Sequence, residues 1–75
     1  MARICEAREV KIGDYLHPEG DTSNIKEVAR ITRCNLVPDP WTGEMHYTHH
    51  RFYFTDELGA APGVEHRSDA LIVAY

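Results

Sequence analysis

The sequence predicts an all-β domain, a small barrel of about five strands built round a long central β-hairpin. Three observations carry that prediction. Turn formers punctuate the chain at short intervals: Gly13-Asp14, His17-Pro18-Glu19-Gly20-Asp21, Pro38-Asp39-Pro40-Trp41-Thr42-Gly43, and residues 58–63 around Pro62. Residues 45–55 collect Tyr47, Thr48, Phe52, Tyr53 and Phe54, β-formers with almost no helix-favouring residue among them. The Pro-Asp-Pro-Trp-Thr-Gly segment has the length of a hairpin loop, and its Gly43 is free to take positive φ.

Taken in order, the opening segment, residues 2–10, admits both strand and helix, because Ala2, Glu6, Ala7, Arg8 and Glu9 also suit a helix. The first arm of the hairpin runs over residues 25–37. Alternation puts Ile25, Ala29 and Ile31 on one face and Cys34 and Leu36 on the other, so the apolar phase slips near Arg33 and a bulge is expected there. A helix over 25–33 competes, since Asn24 with Glu27 matches a capping pattern and Ile25, Val28 and Ile31 have helical spacing. The strand is favoured because β-branched Val28, Ile31 and Thr32 precede a segment that must run extended into Pro38. In the second arm Phe52 and Phe54 share a face and are the expected core, leaving Tyr47, His49, Arg51 and Tyr53 on the other. Residues 71–75, Leu-Ile-Val-Ala-Tyr, read as a buried closing strand that must be paired.

Seventy-five residues make one domain, 1–75, with a small core that a second copy could supplement. Hydrophobic residues at 43%, charged residues at 27% and a net charge of -4 exclude a disordered tail and a collagen-like repeat. No run approaches the ~20 apolar residues of a membrane span, and Met1-Ala2-Arg3-Ile4-Cys5-Glu6 lacks the apolar core of a signal peptide, so a cytoplasmic location is expected. Cys5 and Cys34 form no CxxC pair and read as buried free thiols. A pI near 5.6 opposes bulk attraction to nucleic acid.

The run Val10-Lys11-Ile12-Gly13-Asp14-Tyr15-Leu16, a Gly20-containing loop and then Glu27-Val28-Ala29-Arg30-Ile31 resembles the opening of many small SH3-like barrels, in which an apolar-x-x-Gly-Asp-x-apolar turn leads into a strand. The match covers about a third of the chain and implies a fold rather than a ligand, since such barrels bind RNA, DNA, peptides and proteins. The residues of a proline-rich-peptide groove are not present. In size, acidity and lack of a catalytic signature the chain is also similar to small bacteriophage accessory proteins, which implies a host-cytoplasm setting.

No enzymatic constellation is legible and no cofactor is expected. His17-Pro18-Glu19 has the H-x-E look of a zinc deaminase without its P-C-x-x-C half. His66-Arg67-Ser68-Asp69 contains triad residue types, but contiguously, and no nucleophile elbow exists. Five histidines are unusual, and His46, His49 and His50 are the candidate metal ligands. On one strand, however, His46 and His50 would stand ~13 Å apart with His49 on the opposite face. A pH-sensitive surface is a further reading of the cluster.

The aromatic residues point to binding. Trp41 at the hairpin tip, with Tyr47, Arg51 and Tyr53 on one face of the second arm, forms the candidate surface for a protein partner or a second copy of the chain. Trp41 could instead fold back and plug the barrel. Lys26, Arg30 and Arg51, with Arg33, are the alternative, a stripe for nucleic acid, interrupted by Glu27, Glu44 and Asp56-Glu57. No membrane partner is expected.

Overall fold

Val28 and Ile31 both turn toward the core, although residues three apart cannot share a face of a regular strand. One extra residue between them resolves the conflict and bends the chain, and the rest of the fold follows that bend. The computed structural model describes residues 2–18, 23–55 and 63–75. In chain order these form β1 (Arg3–Glu6), a 3₁₀ turn (Ala7–Glu9), β2 (Tyr15–Leu16), β3 (Lys26–Pro38), β4 (Met45–Phe54), β5 (Val64–Arg67) and β6 (Leu71–Ala74). The Gly20 loop, Asp56-Glu57 and residues 58–62 lie outside the described residues.

The fold is all-β. Strands β2-β3-β4-β5 make a curled antiparallel sheet, a half-barrel, and β1-β6 make a separate two-stranded sheet. The expected central hairpin is β3–β4, and residues 26–33 are strand rather than helix. No described helix is long and apolar enough to cross a membrane.

The bulge lies at Ala29 and not near Arg33: the β3–β4 register shifts between Val28 and Arg30. Burial decides its place. Val28 is fully buried and Ile31 packs on the core, whereas exposed Ala29 can be spared from the ladder. Past Arg33 the register holds, although Asn35 takes a φ of 60° and its amide donates to the Thr48 hydroxyl at 2.9 Å.

Phe52 and Phe54 are buried as expected, against Val28, Leu16, Val64, Val10, Cys5, Ala7 and Ala74. Cys34, in contrast to the expectation of two buried thiols, is only half-buried, because it falls on the face of β3 away from this core. The opening segment divides into strand β1 and the 3₁₀ turn, which sinks Ala7 into the core.

The closing strand corrects the sequence reading. Leu71 is 72% and Val73 39% exposed, and only Ala74 of β6 is buried, with Ile72 packed on the core. Its apolar residues alternate between faces, and β1 covers one edge rather than either face. The two sheets are joined through the last residue: Tyr15 and Tyr75 exchange backbone bonds of 3.0 and 2.9 Å. His17 strengthens the join. Its Nδ1–H donates to the Asn24 carbonyl at 2.6 Å, and its Nε2 is hydrogen-bonded to the Tyr75 hydroxyl at 3.0 Å.

The Gly13-Asp14 turn is docked on β3 by Gly13 N–H to the Val28 carbonyl and Val28 N–H to the Asp14 carbonyl, at 2.9 and 2.8 Å. Asp14 also pairs with Arg3 at 2.7 Å. Burial pushes its carboxyl upward, but the Lys11 N–H and the Arg3 guanidinium outweigh that and hold it below its ordinary value.

Two expectations follow. A Cβ on Gly63 (φ 69°) would stand 2.5 Å from the Phe52 carbonyl oxygen, whereas one on Gly43 (φ 75°) meets nothing within 4 Å. Gly43→Ala should therefore cost only the ~1–2 kcal/mol of a left-handed alanine, and Gly63→Ala at least twice that in urea unfolding. Deleting Tyr75 removes the two backbone bonds and the His17 contact, and should lower stability by ~2–4 kcal/mol in the same assay.

Candidate functional site

β5 pairs with β4 over His49 to Phe52 and Ser68, just past β5, bonds the Thr48 and Tyr47 carbonyls, so beyond these the hairpin runs on as a two-stranded ribbon. Leu36 faces Tyr47, Val37 faces His46 and Pro38 faces Met45 in this ribbon. Both Leu36 and Met45 are exposed, since no third strand and no core lies against them among the described residues.

The loop at the end of the ribbon is organised by Asp39. Its N–H donates to the Glu44 carbonyl at 2.7 Å and its carbonyl accepts from Gly43 N–H at 2.9 Å. Its Oδ1 accepts from the N–H groups of Trp41 and Thr42 at 2.8 and 3.1 Å, and the Thr42 hydroxyl accepts from Glu44 N–H at 3.2 Å. The Trp41 and Thr42 N–H groups hold the Asp39 carboxyl below its usual range. On this bonded loop Trp41 is 93% exposed, so it does not fold back to plug the barrel.

The other residues singled out from the sequence are spread along β4. Tyr47 shares the ribbon with Trp41, while Arg51 and Tyr53 lie ~13–20 Å further along the strand. Both are engaged inside the sheet: Arg51 with Glu65 at 3.4 Å, and Tyr53 beneath the Arg30 guanidinium at 4.1 Å. The candidate basic stripe is thus divided, with Arg30 and Arg51 occupied and Lys26 half-buried at the start of β3. Leu36 and Met45 were not legible as site residues, because only the length of the unsupported ribbon exposes them.

The histidines take separate roles. His49 Nδ1 contacts the Thr48 hydroxyl at 2.8 Å. His46 sits opposite Val37 in the ribbon. His50 is buried beside Phe52, and its Nδ1 lies 2.7 Å from the Ser68 hydroxyl. Ser68 Oγ donates its own proton to the Tyr47 carbonyl at 2.7 Å, so it accepts from His50 Nδ1–H. A serine in that arrangement is tied down rather than activated, since its proton points away from the imidazole. Among the described residues no three His, Cys, Asp or Glu side chains group to hold a metal ion.

Comparison of the chain with protein-family models, with curated proteins and with solved structures gives no match.

His50 makes stability depend on pH. Burial first, then Arg33 across on β3 and Arg8 in the 3₁₀ turn, lower its pKa below the ordinary 6.5; His66 faces it from β5. The unfolded chain then binds the proton more readily than the folded one, so stability is full above pH ~6.5 and falls as pH drops below it. Asp14 and Asp39, also lowered, add their losses only below the ordinary carboxylate value of 3.8. Urea midpoints at pH 7.5 and 5 should differ for the wild type, and His50→Gln should flatten that difference.

Proposed function

We propose that this chain is a non-enzymatic interaction module that binds a protein partner, or a second copy of itself, through the outer ribbon of the β3–β4 hairpin. The observation that carries the reading is Trp41, almost wholly exposed on a loop tied by Asp39. Tryptophan is the commonest interface anchor because one rigid side chain buries a large area with little loss of freedom. A loop already held in shape avoids much of the ordering cost of binding. Exposed Leu36 and Met45 widen the apolar area next to it, and Tyr47 supplies a polar rim. A two-stranded ribbon is marginal by itself in water, so a partner laid against it would add stability as well as affinity. We read the half-barrel as a variant of the small SH3-like barrel that the Gly13-Asp14 turn resembles, acting in the cytoplasm.

The test is Trp41→Ala on tag-free protein. The variant should keep its circular dichroism spectrum and its urea stability within ~0.5 kcal/mol, since the indole touches no core. Self-association, followed by light scattering at two concentrations, should weaken at least ~30-fold if the partner is a second copy. If the wild type is a monomer at both concentrations, immobilised wild type should retain a lysate protein that Trp41→Ala does not. Loss of folding in the variant, or association and capture identical to wild type, refutes the reading.

A further inference from the structure

On the core-facing side of β3 and β4 the residue character changes along the strands. Val28, Phe52 and Phe54 are buried and apolar, but one step beyond Ile31 and Phe52 the register sets Arg33 opposite His50. Arg8 and Lys11, from the 3₁₀ turn and the segment after it, border the same space, a cavity of about 570 Å³. Three of the eight Lys and Arg residues of an acidic chain thus line one cavity, and among the described residues no carboxylate lines it. Its remaining walls are Val10, Ile12 and Ile31.

The cations are not consumed by the protein to the same extent. Arg8 is held by the Ser68 carbonyl at 3.3 Å and the Glu6 carboxylate at 3.4 Å. Lys11 lies in the field of Asp14, whose carboxylate is already paired with Arg3. Arg33 has no carboxylate partner among the described residues, and its guanidinium is 6.0 Å from the centre of the Tyr47 ring. His50 spends its Nδ1–H on Ser68, which fixes the ring at the border of the cavity. The cleft is half-open, with Ile12 exposed at its edge, and it sets apolar walls beside a few charges, the usual make-up of a small-molecule site.

We infer that this cavity binds a small organic anion, a phosphate or carboxylate head on an apolar body, with Arg33 and Lys11 on the head and Val10, Ile12 and Ile31 on the body. The guanidinium fork of Arg33 matches two oxyanion oxygens, and Lys11 adds a point charge. This site adjoins the ribbon where Arg33 approaches Tyr47 but does not include Trp41, so its test is separate from that of the ribbon.

The probe is phenyl phosphate, titrated into the isotope-labelled full chain and followed by amide chemical shifts, with inorganic phosphate in parallel. Saturable shifts should appear at residues 10–12, 31–33 and 50. Phenyl phosphate should bind at least ~tenfold more tightly than inorganic phosphate, because the ring buries apolar area that the bare ion lacks. Arg33→Gln should weaken phenyl phosphate at least ~tenfold; should that variant not fold, Lys11→Gln on the exposed turn carries the same expectation. Absence of saturable shifts at ~10 mM, equal affinity for the two phosphates, or unchanged binding in a folded charge-removed variant overturns the inference.

Discussion

The burial of Phe52 and Phe54 on one side of β4 is the constraint on which the other contacts depend. Two aromatic rings one pleat apart need a partner strand that offers apolar residues at matching heights. β3 can do so only by dropping Ala29 from the ladder, which brings Val28 and Ile31 to the same side. The bulge raises the local twist, and the four-stranded sheet curls around the aromatic pair instead of lying flat. Leu16, Val64 and the 3₁₀ turn with Ala7 and Val10 then close over the rings.

A core this small is supported by polar ties at its margins. Asp14 docks the turn before β2, His17 and Tyr15 catch the last residue, and Ser68 bridges His50 to the Tyr47 carbonyl. The ties join segments far apart in the chain and act only in the folded state, where they fix the margins of the core. Burial and two arginines hold the His50 imidazole in this tie below its ordinary pKa.

The same geometry produces the two surfaces proposed as binding sites. The ribbon exists because β4 extends beyond the end of its pairing with β5, leaving Leu36, Trp41 and Met45 without cover among the described residues. The cationic cavity exists because the shift at Ala29 brings Ile31, and with it Arg33 two residues on, to the side of Val28. A one-residue change of phase thus decides which charges face inward.

Much of the architecture was legible in the sequence by itself. β-formers in residues 45–55, a Pro-Asp-Pro-Trp-Thr-Gly loop and a Gly-Asp turn are local signals, and they specified an all-β chain, the β3–β4 hairpin with Trp41 at its tip, and the Phe52–Phe54 core. Only the tertiary structure decided where the bulge lies, which face of β6 is covered, and which cations meet. Those outcomes depend on neighbours distant in the chain: Val28 is buried by residues on other strands, Leu71 is exposed because no element covers it among the described residues, and Arg8, Lys11 and Arg33 converge through a register that hydrophobic alternation alone put four positions too late. Local chemistry writes the elements, whereas the phase between them is set by packing, a property of pairs that no single segment contains.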